Sequence, residues 1–227
     1  MTLQEVCDAI FYGNLVSITA PDYITIGTTG ELTLCIHGST ALIVEAILYQ
    51  DGEEIASYTG EDFEDGCVTV TTGTITGETE FEFIVTYSSG ATLSDTVTVG
   101  ASYPVFVGLL PKWKTASTIT MDYLEELEAE DTEGTMNRFL DEGSDLTSIT
   151  FTYSFEDSSL RHIFLVIPKD YPDLVSMTTS TQEFGLEAFD VVSDITLEVD
   201  SVGDVVYKIY VYSQALSSLN QSVTFNF

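Results

Sequence analysis

The sequence contains very few positive charges. Its 227 residues include 6 Lys plus Arg against 37 Asp plus Glu, which gives a formal net charge of −31. All six basic residues lie between Lys112 and Lys208, whereas residues 1–111 contain 16 acidic residues and no Lys or Arg. Binding to nucleic-acid backbones or to anionic membranes depends on cationic side chains. We therefore expect no direct nucleic-acid binding and no membrane binding.

Cysteine and long apolar runs are also scarce. The three cysteines, Cys7, Cys35 and Cys67, are an odd number without a C-x-x-C pair. This pattern favours reduced, partly buried thiols, and a Cys35–Cys67 bridge between facing sheets is the alternative. The N-terminus has neither the basic start nor the apolar stretch of a secretory signal, and apolar runs such as 41–48 and 163–167 are too short to span a bilayer. We therefore expect synthesis and assembly in a cytoplasm.

What remains is enough to build a folded protein. Apolar residues make up 44% of the chain and aromatic residues 11%. Disordered acidic chains lack such residues, because they cannot bury enough surface to offset the entropy lost on folding. At this length, one or two domains are expected.

The first 14 residues predict a short amphipathic helix. Leu3, Val6, Ile10 and Phe11 share one helical face within residues 2–12, and a helix this short needs to pack against something else. The helix would pack either on its own domain or on a neighbouring subunit.

Residues 15–101 predict an immunoglobulin-like β-sandwich. Turn residues such as Gly52, Gly66 and Gly90 separate segments rich in Val, Ile, Thr, Tyr and Phe. Within 79–87, Phe81, Phe83, Val85 and Tyr87 alternate with polar residues, as in a half-buried strand. The predicted strands cover 15–19, 22–26, 31–37, 42–50, 54–58, 67–71, 79–87 and 92–99.

Residues 102–227 predict a second β-rich domain with one helix. Pro104 marks the junction, and the apolar spacing within 117–130 is that of a helix. The fold class expected is therefore mostly all-β, with a short N-terminal helix, an Ig-like sandwich and a second β-rich domain. Strands of the second domain are predicted at 103–108, 148–155, 162–167, 178–181, 195–199, 205–212 and 222–227.

This second half resembles a known viral module. The segments that carry the resemblance are Y-P-V-F-V-G at 103–108, H-I-F-L-V-I-P at 162–168, F-G at 184–185, V-V-Y-K-I-Y-V-Y at 205–212 and S-V-T-F-N-F at 222–227. They are similar to the β-rich C-terminal module of tail, neck and fibre proteins of tailed bacteriophages, especially crAss-like and other phages of gut Bacteroidales. In those proteins the module often follows Ig-like domains. The chain is shorter than a long fibre and lacks repeats, so the resemblance implies a compact neck, collar or tail accessory subunit.

No motif in the sequence indicates an enzyme class. His37 and His162 lie in predicted strands without a Cys or His at metal-ligand spacing, so we interpret both as strand histidines held by local hydrogen bonds. Cys67 with either histidine would form a nucleophile–base pair, but no motif supports it. No nucleophile elbow, P-loop or dinucleotide fingerprint occurs. With 37 acidic residues, a pair at glycosidase separation carries little information.

Calcium is the main metal hypothesis that the sequence raises. Calcium binds six to eight oxygen ligands, and none of the acidic loops has the spacing of an EF-hand. We interpret these loops as solvated turns and expect no catalytic residue, cofactor or metal site. The loops are 51–54, 61–65, 128–133 and 141–145.

Trp113 lies between Lys112 and Lys114, the chain's densest group of basic residues. The tryptophan either caps the core or is an exposed contact residue, and the two lysines suit an acidic surface on an identical neighbour.

Three functions remain open at this stage. The first, which we expect, is a non-enzymatic virion subunit that assembles with copies of itself and with other virion proteins. The second is a carbohydrate-binding or adhesin module with an exposed aromatic platform, for which Tyr49, Tyr58, Tyr87 and Tyr123 are candidates. The third is an acidic DNA-mimic inhibitor, although the acidic residues are scattered through turns and strands rather than spaced like phosphates.

Overall fold

The computed structural model describes residues 16–63, 65–130, 136–140, 146–154, 161–199, 202–216 and 221–227. The predicted helix of residues 2–12 lies outside these ranges. The expected fold class is confirmed: the protein is mostly β, with 60% strand, several antiparallel sheets and one α-helix in the described part. The chain divides into two compact units, Met1–Ala101 and Ser102–Phe227.

In the residues described for it, the first unit is a sandwich of eight strands in two sheets. One sheet has the order β1-β3-β6, and the second has the order β2-β8-β7-β4-β5. This division of strands between two sheets is typical of an Ig-like sandwich. Each strand corresponds to a segment predicted from the alternating pattern. The strands are β1 (Val16–Thr19), β2 (Tyr23–Thr25), β3 (Glu31–Ile36), β4 (Ile43–Gln50), β5 (Glu53–Tyr58), β6 (Cys67–Thr71), β7 (Thr79–Tyr87) and β8 (Thr92–Ser102).

The core of this sandwich follows from strand alternation. Phe81 and Phe83 of β7 are fully buried, as are Leu32 and Leu34 of β3 in the other sheet. All four belong to one hydrophobic cluster. Burying one such side chain contributes about 1.5–3 kcal/mol. The alternating strands of the first unit therefore share a single core.

The favoured prediction of reduced thiols at Cys35 and Cys67 is wrong, and the alternative named the right pair but the wrong sheets. Cys35 and Cys67 form a disulfide, with Cα atoms 4.1 Å apart. The two residues lie directly opposite each other on β3 and β6, which are neighbours in one sheet, so the bond does not bridge facing sheets. Leu34 and Ile36 point into the core, and Cys35 therefore faces outward, where Cys67 is exposed. Alternation alone thus places the disulfide on the outer surface.

The described part of the second unit contains nine strands in two antiparallel sheets. The five-stranded sheet has the order β10-β9-β12-β16-β15, and the four-stranded sheet has the order β11-β17-β13-β14. The strands are β9 (Val105–Pro111), β10 (Met136–Phe139), β11 (Ser148–Tyr153), β12 (Arg161–Pro168), β13 (Ser176–Thr179), β14 (Glu183–Gly185), β15 (Phe189–Val199), β16 (Gly203–Tyr212) and β17 (Gln221–Asn226).

The five-stranded sheet is buried on both faces. Ile163 and Leu165 of β12 pack in the core shared with the four-stranded sheet. Phe164 and Val166 of the same strand pack on the opposite face with Leu124 of the helix α1 (Met121–Glu130). A strand buried on both faces has no polar alternation. This arrangement explains the uninterrupted apolar run at 163–167.

Three details differ from the sequence prediction. The helix begins at Met121 rather than at residue 117, because a 3-10 turn, Ala116–Thr118, precedes it. Strand β15 begins at Phe189 rather than at residue 195. Strands β10 and β14, of four and three residues, were not predicted, since segments this short carry no readable period. No helix in the described ranges is long and apolar enough to cross a bilayer.

Candidate functional site

A turn after β9 exposes the only tryptophan of the chain. The Lys114 N–H donates to the Pro111 carbonyl at 2.9 Å, which closes a four-residue turn with Trp113 near its apex. Trp113 is 78% exposed, more than any other large apolar side chain in the described ranges. The core-capping interpretation of Trp113 is therefore wrong, and its role as a contact residue stays a prediction. We call residues 112–114 the basic ridge.

The base of this ridge is fixed by a cation–π contact. The Lys114 Nζ lies 3.2 Å from the centroid of the Tyr123 ring on α1 and 5.6 Å from the centroid of the Trp113 ring. Such contacts contribute about 0.5–1 kcal/mol at exposed sites. Tyr123 is itself half-buried against the core, and this burial raises the pKa of its phenol. Lys114 is thus held beside the helix while the indole of Trp113 remains in solvent.

A cavity of about 340 Å³ adjoins the ridge. It is lined by Lys112, Lys114, Thr115, Ala116, Ser117, His162, Asp190, Val192 and Val211. The His162 Nδ1 lies 2.7 Å from the carbonyl oxygen of Tyr212, which can only accept, so Nδ1 carries the proton. This bond confirms that His162 is a strand histidine held by a hydrogen bond within its sheet. The other ring nitrogen, Nε2, takes no part in this bond. The lining therefore combines two ammonium groups with hydroxyl and imidazole groups and the carboxylate of Asp190.

The ridge lysines differ from the other lysines in their ionic contacts. Lys169 pairs with Asp194, and the Lys208 Nζ donates to Asp173 Oδ1 at 2.9 Å. In the described ranges, no carboxylate oxygen lies within ion-pair distance of Lys112 or Lys114. Lys112 and Lys114 therefore lie beside an exposed aromatic ring without a described ion-pair partner.

The nucleophile–base pairs that the sequence raised without a supporting motif are ruled out by the bonding of Cys67. The Cys67 sulfur is joined to Cys35 and cannot act as a thiolate. His37 lies one residue beyond the end of β3 and is exposed, so its placement within a strand was wrong. His162 belongs to the second unit.

The acidic loops that the structure describes form turns. Asp51 and Gly52 adopt positive φ values of 50° and 81° in the hairpin between β4 and β5. The Asp62 carboxylate accepts hydrogen bonds from the Thr59 backbone N–H at 2.7 Å and from its hydroxyl at 3.0 Å, which lowers the pKa of Asp62. No group of three or more metal-ligating side chains occurs in the described ranges. Residues 64, 131–133 and 141–145 of the proposed calcium loops lie outside them.

The four tyrosines suggested as a platform are not exposed. Tyr49, Tyr58, Tyr87 and Tyr123 are all half-buried, and the Tyr58 ring packs edge-on against Phe63 with centroids 5.7 Å apart. A different aromatic cavity of about 210 Å³ lies in the second unit. Its lining includes Tyr153, Phe184, Tyr212, Gln214 and Gln221. The cavity could not be found from the sequence because the residues that line it come from segments far apart in the chain.

The chain matches no protein-family model, and its sequence is not significantly similar to any curated protein.

Proposed function

We propose that this protein is a non-enzymatic structural subunit of a tailed-phage virion, in the neck, collar or tail region, that acts by protein–protein assembly. The observation that carries the proposal is Trp113, exposed between two lysines that have no described carboxylate partner. Tryptophan is enriched among the residues that dominate binding energy, and exposed apolar surface beside charge marks protein contacts. The viral assignment is supported by the resemblance of residues 103–227 to phage modules.

The outward-facing disulfide supports a final location outside the cytoplasm. Disulfides persist on virion and cell surfaces and are rare where thiols are kept reduced. Cys67 is exposed at the outer surface of its sheet, so its bond with Cys35 is accessible to cellular reductants. A subunit made in the host cytoplasm would form this bond after the particle is released.

The anionic surface of the first unit suits a subunit that lies near the path of DNA. The first unit has no Lys or Arg, so it lacks the cations through which proteins bind phosphate. DNA would pass such a surface without adhering to it.

Binding assays with the purified chain separate the three function classes. The immobilised protein should capture structural proteins from disrupted particles of the phage that encodes it, and captured proteins are identified by mass spectrometry. Basic ridge variants, with Lys112 and Lys114 changed to glutamate, are the matched control and should capture less. Capture of a DNA-binding enzyme instead would support the inhibitor function and contradict this proposal.

A carbohydrate-binding function is favoured by one observation, the 210 Å³ aromatic cavity. Amide and hydroxyl groups beside aromatic rings are the chemistry that binds sugars in concave sites. A glycan array reports on this directly: binding that is lost in Gln214→Ala would favour the adhesin function over assembly.

A further inference from the structure

The first unit carries an open hollow at the start of β4. The hollow has a volume of about 670 Å³ and is lined by Thr40, Ala41, Ile43, Val44, Thr59, Gly60 and Glu61. Its walls are two 3-10 turns, Thr40–Leu42 and Gly60–Phe63. A Cβ added at Gly60 would lie 2.1 Å from the Thr40 carbonyl oxygen, so only glycine allows the two turns to approach this closely.

The walls of this hollow are held by backbone and side-chain hydrogen bonds. The Ser88 N–H donates to the Leu42 carbonyl at 2.8 Å, which ties the first turn to the β7–β8 hairpin. Asp62 accepts two hydrogen bonds from Thr59 and closes the second turn. The shape of the hollow is therefore set before any partner binds, which lowers the entropy lost on docking.

One apolar side chain that lines the hollow, and one that neighbours the lining residues in the chain, face solvent. The pairing of β4 with β7 shifts between Ile43 and Glu45, and the bulged residue, Val44, is 60% exposed. Leu42 beside it is 43% exposed. β-Bulges often re-aim a side chain at a functional surface. Here the bulge turns Val44 toward solvent, whereas Leu42 belongs to the 3-10 turn that precedes the strand.

The surroundings of the hollow are acidic. Glu61 lines the hollow, Asp62 follows it in the chain and Glu45 follows Val44. All three are exposed, and the first unit contains no Lys or Arg to neutralise them. An apolar patch with an uncompensated acidic rim fits an aromatic side chain flanked by cations. The basic ridge, with Trp113 between Lys112 and Lys114, has that chemistry.

We propose that Trp113 of one copy docks into the hollow at Val44 of a second copy, with Lys112 and Lys114 facing the acidic rim. This inference rests on the proposed assembly function and names its partner as a further copy of this chain. Because the two contacting surfaces are different, the contact is head-to-tail and generates a ring or an open array. One tryptophan in one hollow buries less than a standard stable interface, so the contact is weak between free copies and gains strength when many copies are held together.

A mixing experiment tests this arrangement. One variant, Lys112→Glu/Trp113→Ala/Lys114→Glu, lacks the ridge, and the other, Val44→Glu, lacks the apolar hollow. All four positions are in solvent-facing segments, and unchanged melting temperatures check that both variants fold. Val175→Glu is the matched control, since Val175 is 62% exposed in the other unit.

Sedimentation velocity at 10–500 μM, roughly the range of weak contacts, should show wild type and Val175→Glu forming species larger than dimers. Each ridge or hollow variant alone should be monomeric, with association weakened about thirty-fold or more, as for buried tryptophan hot spots. Their equimolar mixture should stop at a dimer, because only one intact ridge and one intact hollow can meet. Added salt should weaken all association, since lysine–carboxylate attraction is screened.

The proposal is overturned if the mixture stays monomeric, if either variant assembles like wild type, or if wild type remains monomeric throughout. These outcomes differ from a failure of the proposed function, because a chain that captures virion proteins but does not self-associate would contradict only the head-to-tail contact.

Discussion

Removing the Cys35–Cys67 bond should destabilise the first unit selectively. The bond closes a loop with a sequence separation of 32 residues. Chain-entropy arguments give about 12 cal/mol/K for a loop of this length, or about 4 kcal/mol at 25 °C. For a domain of about 100 residues, each kcal/mol corresponds to about 4–8 °C in melting temperature. We therefore expect the transition of the first unit to fall by roughly 15–30 °C.

Differential scanning calorimetry with and without a phosphine reductant measures this effect. The second unit contains no cysteine, so its transition should not move and serves as an internal control. The variant Cys35→Ser/Cys67→Ser should melt like the reduced wild type and show no response to reductant. The reasoning fails if reduction moves neither transition by more than about 3 °C, given the 4 kcal/mol expected. It fails equally if three thiols, rather than one, titrate in the denatured, unreduced protein.

Three further changes test the cores and one surface ion pair. Phe83→Ala should lower the unfolding free energy of the first unit by about 3–5 kcal/mol. Ile84→Ala, on the opposite face of β7, should lower it much less. Equal losses in urea titrations would contradict the strand register. Tyr207→Phe removes a buried hydroxyl that has no hydrogen-bond partner in the described ranges, so the unfolding free energy should stay equal or rise. A decrease of more than about 1 kcal/mol in the same titration would refute this. Hydrogen bonding to Lys208 lowers the pKa of Asp173, so its stabilising effect is present above the carboxyl's unfolded pKa and is lost as pH falls through the folded pKa. Asp173→Asn should thus lower the melting temperature of the second unit at pH 7, with the difference from wild type shrinking in acid; a difference independent of pH would count against it.

The strands of the first unit could be predicted because one face of each strand is exposed to solvent. Alternation around Phe81 and Phe83 defined β7, and turn residues such as Gly52 separated its neighbours. The Cys35–Cys67 pair could be named only as an alternative and was placed between facing sheets, because its position depends on which strands become neighbours, and that is a tertiary property.

The candidate surfaces were predictable only in part. The basic ridge was visible in the sequence because Trp113 and its lysines are adjacent, but its exposure depends on the turn closed between Pro111 and Lys114. The hollow was not predictable, since residues 41–48 form a nearly continuous apolar run and the bulge at Val44 leaves no mark in such a run.

Immunogold electron microscopy of intact phage particles, with an antibody raised against this chain, tests the central claim most directly. The account predicts gold at the neck, collar or tail, with several labels per particle, and no label on particles of an unrelated phage. Particles without label, from cultures in which the chain is found only in the host cell or its envelope, would contradict the assignment to the virion.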